Sequence, residues 1–409
     1  MIPRTLDDLD FSGKPVLVRA DLNLPLIDGA VGDPARLKAA VPTIREILRR
    51  GGKPVIISHL GRPKGKPDPA LSLRPFAPAL SAALQGTPVR FAANCIGEPA
   101  RSVVEGLQPG EVALLENLRF HPEEAANDPA FAAALAALAA CYVDDAFSTA
   151  HRAHASIVGL PRLLPAAAGL LMQRELAHLE EHLGNPKRPM AAILGGAKVS
   201  SKIGVLRALA HRVDSLILGG GMANTFLAAR GIDIGRSFHE KDAAPLAADI
   251  ERAAAAAGCS LLLPTDVVVS ESRAAHARAE TTSLADIPAN GMILDLGPDS
   301  VARICAGLRR VRTVVWNGPL GVAELPGFER ATHAVAAFIA KRTREGALVS
   351  VAGGGETAAA LVAAGVADAF SYVSLGGGAF LEWLQGKTLP GIAALASGGG
   401  PQAQTGTAG

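Results

Sequence analysis

Arginine and histidine recur just after apolar runs in the first half of the chain. Asp21 and Asn23 lie in RADLN, His59 and Arg62 in SHLGRPKGK, Arg119 in LLENLRF, and His151 and Arg152 in DDAFSTAHR. Asp33-Pro34 reads as a helix start, Asp33 as N-cap and Pro34 at the first helical position, which puts Arg36 in the first turn. A cation there opposes the helix dipole, and alone it would read as a solvated arginine paired to Asp33. Four arginines at strand ends change the balance. No lysine occurs between Lys66 and Lys187, so arginine, suited to bidentate contact with phosphate and carboxylate, supplies the positive charge. The pattern points to a small polyanion, with Asp21 and Asn23 placed to orient a hydroxyl. As an isolated pair they would more often mark a turn.

The second half carries glycine, lysine and carboxylate instead. Lys198 and Lys202 follow the glycines of LGGAKVSSK four residues apart, a spacing that on a helix would put two like charges on one face. A solvated basic face is the plain alternative, but the Gly-rich strand–helix junction favours phosphate. In VAGGGET, Gly353, Gly354 and Gly355 let backbone approach a ligand, and the helix expected from Thr357 onward offers unpaired N–H groups to an anion. Glu356 beside them suits a Mg²⁺ ion carried by a nucleotide, since that ion keeps several waters and takes few protein ligands. The alternative is a carboxylate that merely favours the helix N-terminus. No G-x-x-x-x-G-K-[ST], HRD or DFG is present. Gly353-x-Gly355-x-x-Ala358 also fits a loose dinucleotide fingerprint, but the acidic residue expected about twenty positions on is missing, Asp368 coming too early. A nicotinamide-dependent dehydrogenase and a non-catalytic nucleotide binder are therefore the competing readings.

These residues need strand ends to stand on. Strands are expected at Val16–Arg19, Val55–Ser58, Val112–Leu115, Tyr142–Val143, Ala191–Leu194, Ser215–Leu218, Leu261–Leu263, Thr313–Trp316, Leu348–Ala352 and Tyr372–Leu375. Helical spacing fills Pro34–Arg50, Val199–Ala210, Leu246–Ala257 and Glu329–Arg344. Such alternation argues for an α/β fold of mostly parallel sheets covered on both faces, with ligands at the carboxyl ends of the strands. With 409 residues, two domains are expected. The turn formers of HLGNPKRP, after a bridging helix over Arg174–Leu183, place the cut near 185. The first domain is then 1–184 and the second 185–389, with a low-complexity, disordered tail at 398–409.

Composition narrows the class. The net charge of +2 argues against nucleic-acid and membrane-surface binding. The start, MIPRTLDDLDF, lacks the basic and apolar regions of a signal peptide, and the alanine-rich run Phe131–Val143 is too short to span a bilayer. Cys95, Cys141, Cys259 and Cys305 are scattered and suggest neither a disulfide framework nor a zinc site. The expectation is a cytoplasmic enzyme, monomeric, acting on small molecules.

Taken together, RADLNLP, GDPARLKAAVPTI, SHLGRPKGK, LLENLRF, DDAFSTAHRAHAS, LGGAKVSSKI, GGGMANTF, LPTDVVV, WNGPLGVAE, VAGGGET and SLGGGAFLEWLQGKTLPGI resemble the phosphoglycerate kinase family in order and spacing, up to about residue 393. The resemblance implies two Rossmann-like domains facing each other across a cleft, joined by a hinge and closing during transfer. It implies reversible phosphoryl transfer between 1,3-bisphosphoglycerate and ADP, giving 3-phosphoglycerate and ATP, with Mg²⁺ on the nucleotide. The acid would meet Asp21, Leu22, Asn23, Arg36, His59, Leu60, Gly61, Arg62, Arg119 and Arg152. The nucleotide would meet Lys198, Lys202, Asn317, Glu324 (on the ribose), Gly353, Gly354, Gly355 and Glu356, with Glu356 as the metal ligand. Arg36, Lys198, Lys202, Gly376 and Gly377 would act on the moving phosphoryl, and 390–397 would return to the first domain. A carboxylate is already ionised at neutral pH, so this chemistry needs no general base, only cations and N–H donors. The chain departs from the family pattern at Glu356, usually aspartate, and at Leu375 and Phe380, usually small hydroxyl residues. Ser148 stands in place of a glycine, a change expected to be tolerated.

Overall fold

The computed structural model describes residues 3–24, 26–27, 29–32 and 35–398. It contains two compact units, one made of residues up to Ala177 and from Thr388 onward, the other of His178–Lys387.

The first unit is built on a six-stranded parallel sheet ordered Val89–Ala92, Val112–Leu115, Lys53–Ile57, Pro15–Arg19, Cys141–Asp144, Ala166–Ala168. Its central strands are near-continuous apolar runs because both faces are covered. On one face Val16, Val18, Ile56 and Leu114 share a core with Leu37, Ile44 and Ile47 of helix Ala35–Arg49 and Phe76 and Leu80 of helix Phe76–Ala83. Helix Pro390–Ser397 belongs to this unit. Gly391 N donates to Ala150 O at 2.8 Å, and Ala394 packs on Ile157 and Val158.

The second unit repeats the scheme, with parallel strands ordered Ser260–Leu262, Ser215–Leu218, Met190–Leu194, Thr313–Asn317, Val349–Gly353, Tyr372–Ser374. Trp316, fully buried, anchors one face with Val335, Ile339 and Leu361.

In each sheet the chain builds outward from an early central strand, first to one side and then to the other. The order therefore reverses beside Pro15–Arg19 in one sheet and between Met190–Leu194 and Thr313–Asn317 in the other. Crevices form at such points.

All ten expected strands are present, with ends shifted by at most two residues. Several elements were not expected. These are the edge strands Val89–Ala92 and Ala166–Ala168, the hairpin Leu26–Ile27 with Ala30–Val31, and a three-stranded antiparallel sheet in which Glu280–Ser283 pairs with the apolar strand Asp266–Ser270, itself paired with Met292–Leu296. The bridging helix runs Leu170–Leu183, and the unit boundary falls inside it, between Ala177 and His178, rather than near 185. The turn formers after Leu183 mark where the helix stops, whereas packing decides where the unit begins: His178 already stacks on Tyr372. The expected cap, Asp33 and Pro34, and the tail from 399 lie outside the described residues. Among the described residues, no helix is long and apolar enough to cross a membrane.

Candidate functional site

Two charged constellations stand at the two reversal points. In the first unit, strand Pro15–Arg19 ends in a buried arginine. Arg19 Nη2 lies 3.0 Å from His59 Nδ1, its Nη1 donates to Ala20 O at 2.6 Å, and its Nε donates to Ser156 Oγ at 3.1 Å. A guanidinium only donates, so His59 Nδ1 accepts and the neutral ring carries its proton on Nε2. Burial, reinforced by Arg19 and Arg152, holds His59 well below the usual histidine range. Ser156 in turn is held by buried Glu124, which accepts from Ser156 N at 2.9 Å and from Ser156 Oγ at 2.5 Å. This chain behind Arg19 fixes the guanidinium so that it cannot fold into solvent.

In front of it, Asp21 Oδ2 accepts from Arg36 Nη1 at 2.8 Å and from Ser148 Oγ at 2.5 Å, and Asp21 Oδ1 accepts from Asn23 N at 3.1 Å. Asn23 Oδ1 accepts from Gly61 N at 2.9 Å, and Arg119 Nη1 donates to Gly61 O at 2.6 Å. Gly61 sits at φ +59°, with Leu71 packed 2.7 Å from where a Cβ would point, so the turn requires glycine. Leu22 N is tied to Ser58 Oγ at 2.9 Å, and Leu60 is bracketed by Asn117, donating and accepting. Arg62 is exposed. Arg152 and His154 both titrate below their ordinary values. For Arg152 the causes are burial and then the charges of Arg19 and Arg62; His154 is brought to about 4 by burial, then Arg152 and Arg19. Cations so crowded, with Asp21 the carboxylate bonded among them, make a site that gains when a small polyanion enters.

In the second unit the centre is Lys202. Its ammonium donates to Gly195 O at 2.7 Å and to Asn317 Oδ1 at 2.8 Å, bridging the ends of the two strands that flank the reversal. Burial lowers its pKa to about 8, and Glu356 pulls the other way. Asn317 Nδ2 donates to Gly353 O at 2.6 Å, and Thr357 Oγ1 accepts from Gly318 N at 2.7 Å and donates to Gly353 O at 2.9 Å. Gly354 adopts φ +100°, with Asn317 Nδ2 2.9 Å from where a Cβ would lie, and so closes this turn as only glycine can. Helix Gly355–Ala363 starts there, with exposed Glu356 in its first turn, and helix Gly377–Leu384 starts beside it, Gly377 approaching Gly354. Two helix N-termini and one largely enclosed ammonium thus stand at the strand ends, an arrangement suited to phosphate, although Gly354 N and Gly376 N already donate to Ser374 O at 3.2 Å and Ser374 Oγ at 3.0 Å.

The family model described as phosphoglycerate kinase matches residues 6–387. The chain belongs to the phosphoglycerate kinase family. A curated phosphoglycerate kinase of Cereibacter sphaeroides is 54% identical over 96% of this chain and 99% of its own length. That of Sinorhizobium fredii is 55% identical over 95% and 98%. Among solved structures, the phosphoglycerate kinase of Coxiella burnetii superposes with a TM-score of 0.81 at 39% identity, covering 96% of this chain and 98% of its own. That of Pyrococcus horikoshii gives 0.83 at 31% identity, with the same coverage.

Within this family framework the structure brings Asp21, Asn23, Arg36, His59, Gly61 and Arg119 into one bonded group, and Lys202, Asn317, Gly353 and Gly354 into another. One expectation changes. Lys198 and Lys202 do not share a helical face: a 3-10 turn, Ser200–Lys202, precedes a helix that begins at Ile203, so Lys202 folds inward while Lys198 stays exposed. Glu324 is paired with Arg273 at 3.0 Å on an exposed surface. Phe380, in place of a small hydroxyl residue, is fully buried with its ring against Gly353, filling space beneath the glycine turn. Ser148 gives Asp21 a donor that a glycine could not. Sequence reasoning missed Arg19, Glu124, Ser156 and His154. Arg19 had a signal: it is the one charge in the otherwise apolar run PVLVRA.

Proposed function

We infer that this chain is a phosphotransferase with a carboxyl group as acceptor, moving a phosphoryl group reversibly between 1,3-bisphosphoglycerate and ADP to give 3-phosphoglycerate and ATP. The observation that carries the reading is the cationic group around Asp21. Arg36, Arg62, Arg119 and Arg152, with buried Arg19 behind them, suit a ligand with two anionic ends, and Asp21, held by Arg36 and Ser148, is placed to accept from its hydroxyl.

The nucleotide is assigned to the second unit. Lys202 neutralises phosphate charge, and the N–H groups of Gly355, Glu356 and Gly377 donate to phosphate oxygens, while those of Gly354 and Gly376 hold the turns through Ser374. Lys198, exposed at the same junction, is free to follow the transferred group. Glu324 is proposed to leave Arg273 for the ribose. The exposed carboxylate of Glu356 at the edge of the glycine turn, a hard oxygen donor in open surroundings, fits Mg²⁺; with nucleotide phosphates it would hold the ion, which supplies charge neutralisation on the phosphates.

No general base is required, because the attacking carboxylate is ionised at neutral pH. The buried acids Asp144 and Asp145, pushed by burial to about 6 and about 7, are committed elsewhere: Asp144 accepts from Ala146 N, and Asp145 caps helix Leu170–Leu183 through Leu171 N and Met172 N. The residues of the site therefore bind, orient and neutralise.

The enzyme is assigned to the cytoplasm as a monomer, which sedimentation at working concentration checks. The deciding experiment is a coupled assay with 3-phosphoglycerate and Mg-ATP. Turnover dependent on both substrates is expected. Nucleotide binding without turnover, or a bound nicotinamide absorbing near 340 nm, would overturn the reading.

A further inference from the structure

Helix Leu170–Leu183 carries a cluster that belongs to neither anion site. His178, Glu181 and His182 stand at i, i+3 and i+4, so their side chains share one helical face. One ligand atom from each lies within 4.8 Å of the others. His178 Nδ1 is 3.8 Å from Glu181 Oε2. The His178 ring stacks on His182, with centroids 5.6 Å apart, and on Tyr372, with centroids 4.3 Å apart. A second observation points to a ligand. His178 Nδ1 and His182 Nε2 are both shielded from solvent and have no hydrogen-bond partner among the described residues. Buried polar atoms left in that state call for an explanation, and a bound ion is one.

We propose that His178, Glu181 and His182 form a binding site for a divalent transition metal of the Zn²⁺ class. Two imidazole nitrogens and one carboxylate oxygen make the three-protein-ligand set that Zn²⁺ accepts with water in the fourth position. Imidazole selects Zn²⁺, Ni²⁺ or Cu²⁺ over Mg²⁺, so this site differs in chemistry from the nucleotide's metal and does not depend on the kinase reading. Bonds of about 2.0–2.1 Å in tetrahedral geometry require the ligand atoms to close to roughly 3.3 Å from each other. The Glu181 side chain, 67% exposed, is free to make that movement, while Tyr372 steadies the His178 ring.

The test is calorimetric titration of Zn²⁺ into tag-free, chelator-stripped full-length protein, with the visible absorption of Co²⁺ as a report on coordination. One equivalent should bind, with no competition from Mg²⁺. His178→Asn, His182→Gln and Glu181→Gln should each weaken binding at least about 10-fold, the size of effect seen even when a metal ligand's supporting residues are lost. His211→Gln, an exposed histidine on another helix end, should not. Glu181→Gln at an exposed position keeps the fold, so its result stands whatever the histidine variants do. Absence of stoichiometric binding, or unchanged affinity in Glu181→Gln, would overturn the proposal.

Discussion

Raising the pH through about 8 should remove the cation proposed to serve nucleotide binding. The Lys202 ammonium is enclosed between Gly195 O and Asn317 Oδ1, and burial brings its pKa from an ordinary 10.5 to about 8, with Glu356 opposing. A displacement of that size corresponds to about 3 kcal/mol, at 1.36 kcal/mol per unit. With a pKa of about 8, the charged fraction falls from roughly nine-tenths at pH 7 to roughly one-tenth at pH 9. The kcat/KM for Mg-ATP, which reports the free enzyme, should fall about tenfold over that range. Substrate phosphates lose their second proton near pH 6 and arginines stay charged, so neither accounts for such a limb. Lys202→Arg should abolish the limb even if its activity is lower, and Glu356→Gln should move it to lower pH by removing the field that retains the proton. Stability should run the other way. Between about pH 8 and 10.5 the unfolded chain binds the proton and the folded one does not, so stability rises with pH across that window. Loss of activity with gain of stability separates titration from unfolding. A pH profile flat to about 9.5, or a limb that survives Lys202→Arg, would refute the reasoning.

Arg36→Ala should lower kcat by two to three decades, roughly 2.7–4 kcal/mol of transition-state stabilisation, while ATP affinity by titration stays near normal; near-normal kcat would remove Arg36 from the mechanism. Glu356→Gln should raise the Mg²⁺ concentration for half-maximal rate while Glu356→Asp stays active, and an unchanged Mg²⁺ dependence would place the metal elsewhere. Phe380→Ala removes a fully buried ring from beneath Gly353 and should cost about 3–5 kcal/mol in denaturant unfolding. A cost below about 1 kcal/mol would mean the ring does not support the turn.

The strands were legible because a parallel strand covered on both faces is a near-continuous apolar run, as VALL is throughout and PVLVR is up to its terminal arginine. The strand Glu280–Ser283 was not, because ETTS is mostly exposed and pairs only through its backbone with Asp266–Ser270. Ala166–Ala168 is three alanines, which any element tolerates. Charged residues at strand ends pointed to both anion sites, but spacing alone could not show which way they face. Lys198 and Lys202 are separated by a break in helical geometry that only the tertiary turn reveals. Glu124 and Ser156 act on the site through Arg19 from a distance in sequence that no local pattern spans.

The two charged groups are built by different means. Each stands where its sheet reverses order, the place where open α/β sheets receive ligands. At the strand Pro15–Arg19 the groups are guanidinium forks with fixed donors, Arg19 buried and locked by His59 and Ser156, Arg119 by Gly61. Fixed forks recognise shape as well as charge, which a small acid with few atoms requires. At Thr313–Asn317 they are backbone N–H groups and one ammonium whose proton affinity shifts with burial. Backbone donors cannot titrate or swing away, and they leave room for a metal ion to share the phosphate charge. The His59–Arg19 contact gives the first site a requirement the second lacks: the imidazole must stay neutral, since a proton on Nδ1 would oppose Arg19 directly. The group around Asp21, proposed for the acid, is therefore the one built to hold its charge pattern constant, and the group around Lys202, proposed for the nucleotide, is the one expected to respond to pH.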